Sequence, residues 1–141
     1  MERPQSIVWF ERCYLACVAV GVLNTALLWD TVIAQMAENP QTAELGPSFV
    51  PTILTVGLVL GLVVSALLWY FTARKGAVAT KWIITVLFAF NLVTTLFSAS
   101  RGTLPEGVSG VLGIVALVLN GLAVWNLFRP DTKLWFGETA A

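Results

Sequence analysis

The sequence contains no histidine, and charge is scarce: eight basic and eight acidic residues in 141, or 11%. Without histidine the chain lacks the usual axial ligand of haem, a leading zinc and copper ligand, and the commonest general base. Cysteine is almost as rare. Cys13 and Cys17 are the only two, four residues apart in one apolar run, which stacks them on one helical face. Free cysteine behaves as a small buried hydrophobe, so a packing role is expected for both. No metal site, no cofactor and no catalytic residue is expected.

The charge content is less than half the roughly 25% of soluble domains, and no Asp, Glu, Lys or Arg falls near the middle of an apolar run. A proton relay or a carboxylate-based ion carrier therefore has no candidate group. A net charge of zero and the lack of a basic tract argue against nucleic acid as a partner. The glycines form no phosphate-cradling loop pattern.

What the chain has instead is 57% hydrophobic residues, gathered in four runs: Trp9–Trp29, Val50–Phe71, Trp82–Ser98 and Val108–Phe128. A hydrocarbon core ~30 Å thick needs about 20 helical residues per crossing. The first run is too long for a signal-peptide core, and the Asp30 that follows is not a small-residue cleavage site. The expected fold is an all-α integral membrane protein: one domain over residues 1–141, built as an antiparallel bundle of four transmembrane helices.

Basic residues are distributed unevenly between the connecting segments. Arg3, Arg12, Arg74, Lys75, Lys81, Arg129 and Lys133 all belong to one side of such a bundle, and Arg101 alone to the other. Basic residues near span ends stay in the cytoplasm, so both termini are expected there, with the protein in the inner membrane of a bacterium. The outer loop 30–49 carries Asp30, Glu38 and Glu44 and no basic residue. Within it Val32, Ile33 and Met36 share helical spacing, which predicts a short amphipathic segment on the membrane surface ended by Pro40. Pro51 is expected at the first helical position of the second span, where its missing N–H costs nothing. The third span is expected to be the shortest. Glu11, with Arg12 as its neighbour and Trp9 two residues before it, is expected to form a headgroup-level ion pair or a solvated helix end, the alternative being a gating or partner contact. In the cytoplasmic tail 129–141, Trp135 and Phe136 are expected to return to the membrane interface.

Within lipid, helices associate through close packing and interhelical hydrogen bonds, and small residues mark the seams. Gly57, Gly61 and Ser65 form such a stripe on the second span. Ser109, Gly113, Ala116 and Asn120 form another on the fourth, and Cys13, Cys17, Gly21 and Asn24 a third on the first. These seams fit either packing within the chain or a homodimer face.

The polar residues inside the spans are Asn24, Thr55, Asn91, Thr94, Thr95 and Asn120. Asn91 and Asn120 lie ~12 to 14 Å from the cytoplasmic boundary at 1.5 Å per residue, which predicts a hydrogen bond between them. Asn24 and Thr55 match in depth near the outer side. Such groups either join helices or line a cavity that binds a polar group of a ligand or lipid.

The function expected on these grounds is non-catalytic: an accessory, assembly or scaffolding subunit of a larger membrane complex. The alternatives are a passive pore or small-ligand or lipid carrier built as a homo-oligomer, and a membrane sensor or regulator using the acidic outer loop. The expected partners are the lipid bilayer and either another membrane protein or further copies of this chain.

Overall fold

The computed structural model of the chain describes residues 2–138, and all regular structure among them is helical. In chain order the elements are α1 (Gln5–Ala37), α2 (Pro40–Ala43), α3 (Phe49–Ala73), α4 (Val78–Ser100), α5 (Val108–Leu127) and a 3₁₀ turn (Pro130–Thr132). Among the described residues, α1, α3, α4 and α5 are long and apolar enough to cross a membrane.

α1 differs from expectation. It runs 33 residues without a break, ~50 Å at 1.5 Å per residue, well beyond a hydrocarbon core. Val32, Ile33 and Met36 are its last turns and not a separate surface segment, because no Gly or Pro interrupts residues 30–37. The stop comes at Asn39 and Pro40. The Asn39 side chain accepts from the Gln41 amide at 3.1 Å, which caps the single turn of α2.

Two other boundaries move. α3 begins at Phe49, so Pro51 stands third in the helix, still among the first four residues whose amides have no intrahelical partner. α4 takes in residues 78–81 and spans 23 residues, leaving α5, with 20, as the shortest of the four.

α1 is the central element, packing most extensively on α5 and next on α3, while α4 touches α5 and α3. The contacts are concentrated at one end, here the terminal end, where the start of α1 and residues 130–138 meet the α3–α4 turn. Ile7, Phe10, Ala73, Ala123 and Leu127 are fully buried there. The Phe10 and Tyr14 rings lie 5.3 Å apart, and Leu68, Ile84 and Phe136 close the cluster. On the outer faces of the helices, at this end and beyond it, large apolar side chains point outward, Phe90 at 70% and Trp125 at 71% exposure. That inverts the arrangement of a protein folded in water.

Polar groups bind the terminal end together. Glu11 pairs with Arg3 at 2.7 Å and Arg74 at 3.5 Å, not with Arg12, which instead lies over the Trp9 ring. Adjacent residues on a helix point in different directions, whereas Arg74 is brought in by the α3–α4 turn. The Ser6 hydroxyl and amide donate to the Asp131 carboxylate at 2.7 and 3.2 Å. Desolvation, the largest single influence, raises the Asp131 pKa, but the two Ser6 hydrogen bonds, a hydrogen bond from its own backbone amide and the nearby Arg129 charge together outweigh it and hold the carboxyl below its ordinary value.

The tail folds back onto the helices. Phe136 is buried against the helices, and the Trp135 indole donates to the Thr72 carbonyl at 3.0 Å. Lys81, only 3% exposed, pairs with Glu138 at 2.8 Å and lies over the rings of Phe128 and Phe136. Gly76 makes this closure possible. Its φ is +60°, and a Cβ there would press into the Trp135 carbonyl, so any side chain is excluded both by backbone conformation and by space.

Candidate functional site

Toward the other end, the loop end, the helices separate and leave two clefts. The contacts nearest the boundary show where separation begins. Tyr14 on α1 donates to the Ser65 carbonyl of α3 at 3.2 Å. Cys17 on α1 donates to the Ala116 carbonyl of α5 at 3.2 Å, and Cys13 packs against the core cluster. On α4, Trp82 meets Phe128 edge to face at 5.6 Å, and Phe88 closes on Gly121, where a Cβ would come within 3.3 Å of its ring.

The larger cleft, ≈ 670 Å³, lies between α1, α4 and α5 beneath the 101–107 loop. It falls within the roughly 300–1,000 Å³ typical of small-molecule sites. Five of the six polar residues predicted from the sequence meet here: Asn24, Asn91, Thr94, Thr95 and Asn120. Thr55 does not join them. Its hydroxyl donates back to the Pro51 carbonyl at 2.8 Å, the usual fate of a threonine in a lipid-facing turn.

The Asn91–Asn120 hydrogen bond is not formed. Asn91 Oδ1 accepts from the Thr95 hydroxyl of its own helix at 3.3 Å, and the Thr94 hydroxyl donates to the Asn91 carbonyl at 2.9 Å. Asn120 Oδ1 is buried without any partner, and so is Asn24 Oδ1. Matching depth was a sound guide to which residues share a level, but α4 stands off from α5 above Phe88, so the two amides face the same space without touching.

The small-residue seams divide along the same line. Ser109, Gly113 and Ala116 line the larger cleft together with Cys17 and Gly21. A second, more apolar cleft of ≈ 610 Å³ lies between α1 and α3, with Gly21, Gly57, Gly61 and Ser65 in its wall. A Cβ built on Gly21, Gly57, Gly61 or Gly113 would meet nothing within 4 Å. The GxxxG face of α3 thus packs on no other helix of this chain.

Sequence reasoning missed two parts of the site. Thr25 lines both clefts, and its place directly after Asn24 was the available signal. The 101–107 loop forms the roof through Leu104 and Pro105, held close because Gly110 lets the Pro105 carbonyl approach where a Cβ would clash. Nothing in the local sequence marks that approach. No charged side chain lines either cleft, and no three His, Cys, Asp or Glu residues gather among those described. Comparison with family models, curated proteins and solved structures finds no match to this chain.

Proposed function

We propose that the protein is a non-catalytic accessory subunit of a bacterial inner-membrane complex, an antiparallel four-helix bundle with both termini in the cytoplasm. The observation that carries this reading is the empty glycine groove between α1 and α3, where Gly21, Gly57 and Gly61 face open space. Small residues let helix backbones approach closely, and in lipid that approach is a principal source of association energy. The chain builds such a surface and leaves it uncovered.

The occupant proposed is a single transmembrane helix of another protein. The groove is concave, and a twofold dimer would set the same concave patch against itself, leaving the groove unfilled. A lone helix is the convex shape that fits. Orientation follows from the charges: Arg3, Arg12, Arg74, Lys75, Lys81, Arg129 and Lys133 flank the terminal end, and such residues are retained in the cytoplasm.

The test is gentle solubilisation from native membranes with wild type and Gly61→Leu in parallel. A membrane protein that co-purifies with wild type and is lost with Gly61→Leu supports the proposal. A wild-type protein that runs as a lone monomer at every detergent strength, or a partner retained by Gly61→Leu, refutes it.

A further inference from the structure

The larger cleft carries a separate inference, which does not depend on the helix docked at α3. Asn24 Oδ1 and Asn120 Oδ1 lie in its wall, cut off from solvent and without hydrogen-bond partners. Leaving a buried acceptor unmade costs free energy that either a partner group or a bound molecule recovers. No side chain among the described residues supplies that partner, although Thr25 and Ser109 also line the cleft. The Thr25 hydroxyl is committed to the Gly21 carbonyl of its own helix at 2.9 Å.

The lining chemistry restricts what fits. A carboxamide offers an acceptor oxygen and a donor NH₂, and a half-turn of the amide plane exchanges which of them faces the cleft. A hydroxyl, itself donor and acceptor, satisfies either. A phosphate or carboxylate would find no cation in the wall, and an ammonium would find no carboxylate, so a charged group would be desolvated without compensation. Beside these amides and hydroxyls the wall carries apolar side chains, among them Leu104, Val111, Ile114 and Leu117. The open side runs along α4, where Asn91 and Thr94 are exposed.

We infer that the cleft between α1, α4 and α5 is a binding site for an uncharged amphiphile bearing at least two hydroxyl groups, its hydroxyls on Asn24 and Asn120 and its apolar body against α5. Such a molecule can come from the bilayer through the α4 side or from water beneath the 101–107 loop.

The test uses the full chain in phosphatidylcholine nanodiscs and native mass spectrometry. Monoolein, with two free hydroxyls, is titrated against methyl oleate, which has the same chain and no donor. Monoolein is expected to bind about tenfold or more tightly than methyl oleate, since each tenfold step corresponds to about 1.4 kcal/mol and each buried hydrogen bond is worth about that much. Asn120→Leu and Asn24→Leu are each expected to erase most of this preference while leaving methyl oleate unchanged. Water-soluble monobutyrin, added from outside, separates the two sources. Competition by monobutyrin assigns entry from water, and binding of monoolein without such competition assigns entry from the bilayer. Equal binding of monoolein and methyl oleate by wild type overturns the inference without any variant. So does a monoolein preference unchanged by both substitutions.

Discussion

The two ends of this molecule are built on opposite principles. At the terminal end, side chains from the N-terminal helix, the α3–α4 turn and the tail interlock, and even a lysine is buried with its partner. At the loop end the same helices separate, Gly21, Gly57, Gly61 and Gly113 face open space and two amide oxygens lack partners. One end is a closed core, in which the buried Trp69 indole N–H is left without a partner, and the other opens into two clefts.

Glycine substitution separates the ends most strongly. Gly76→Ala places a side chain at a left-handed φ and against the Trp135 carbonyl, and is expected to destabilise by about 2 kcal/mol or more. Gly113→Ala, with open space around it, is expected to change stability by less than about 1 kcal/mol, in the stabilising direction. Thermal unfolding of both in detergent measures the contrast. A similar loss at the two positions would erase it.

Next in size is the Lys81–Glu138 pair. Glu138→Ala leaves a nearly buried ammonium without its carboxylate and is expected to cost about 1–3 kcal/mol, the partial exposure of Glu138 keeping it below the full penalty for a broken buried pair. The companion Lys81→Met/Glu138→Ala should recover most of that loss. If Glu138→Ala unfolds at the wild-type temperature, the tail does not contribute to the closed end.

Asp131 gives a smaller, pH-dependent effect. Its folded pKa lies below the ordinary value, so the Ser6–Asp131 contribution is fully present above about pH 4, the usual aspartate range. It is lost as pH falls through the folded value. Wild type should therefore be more stable than Asp131→Asn at pH 6, with the difference shrinking on acidification. A difference that stays constant down to pH 2 would contradict the assignment.

The smallest effect belongs to the loop end. Asn120→Leu removes an amide oxygen that bonds nothing and is expected to leave unfolding unchanged or slightly improved, because no hydrogen bond is lost and a buried unmade acceptor is removed. A loss of about 1 kcal/mol or more would show that Asn120 joins helices after all.

Much of the architecture was legible because it depends on short-range pattern. Apolar runs of the right length gave the four long helices, and the acidic, Pro- and Gly-bearing segments gave their connections. Helical spacing and depth also put Asn91 and Asn120 at one level, but matched Asn24 with Thr55, whereas the structure brings Asn24 to the cleft of Asn91 and Asn120 and leaves Thr55 out of it. What the sequence could not carry was distance between helices. Gly57 and Gly61 read alike whether a neighbour fills their groove or leaves it empty. The hydrogen bond assigned to Asn91 and Asn120 failed for the same reason: depth is set along one helix, but separation is set by what packs at Phe88 and Gly121. Trp135 and Phe136 suit the membrane interface and a core alike. Only Lys81, Thr72 and the turn at Gly76, far away in sequence, decide between them.

The most direct measurement compares the two ends with one reagent. In a background carrying Cys13→Ala and Cys17→Ala, cysteine is placed at Gly113 in the open cleft or at Ala123 in the closed core, and each protein is treated with N-ethylmaleimide in nanodiscs. Rapid modification of G113C with A123C protected until the protein unfolds is the predicted result. Equal protection of both positions, or equal reaction at both, would contradict the division of this molecule into a closed end and an open one.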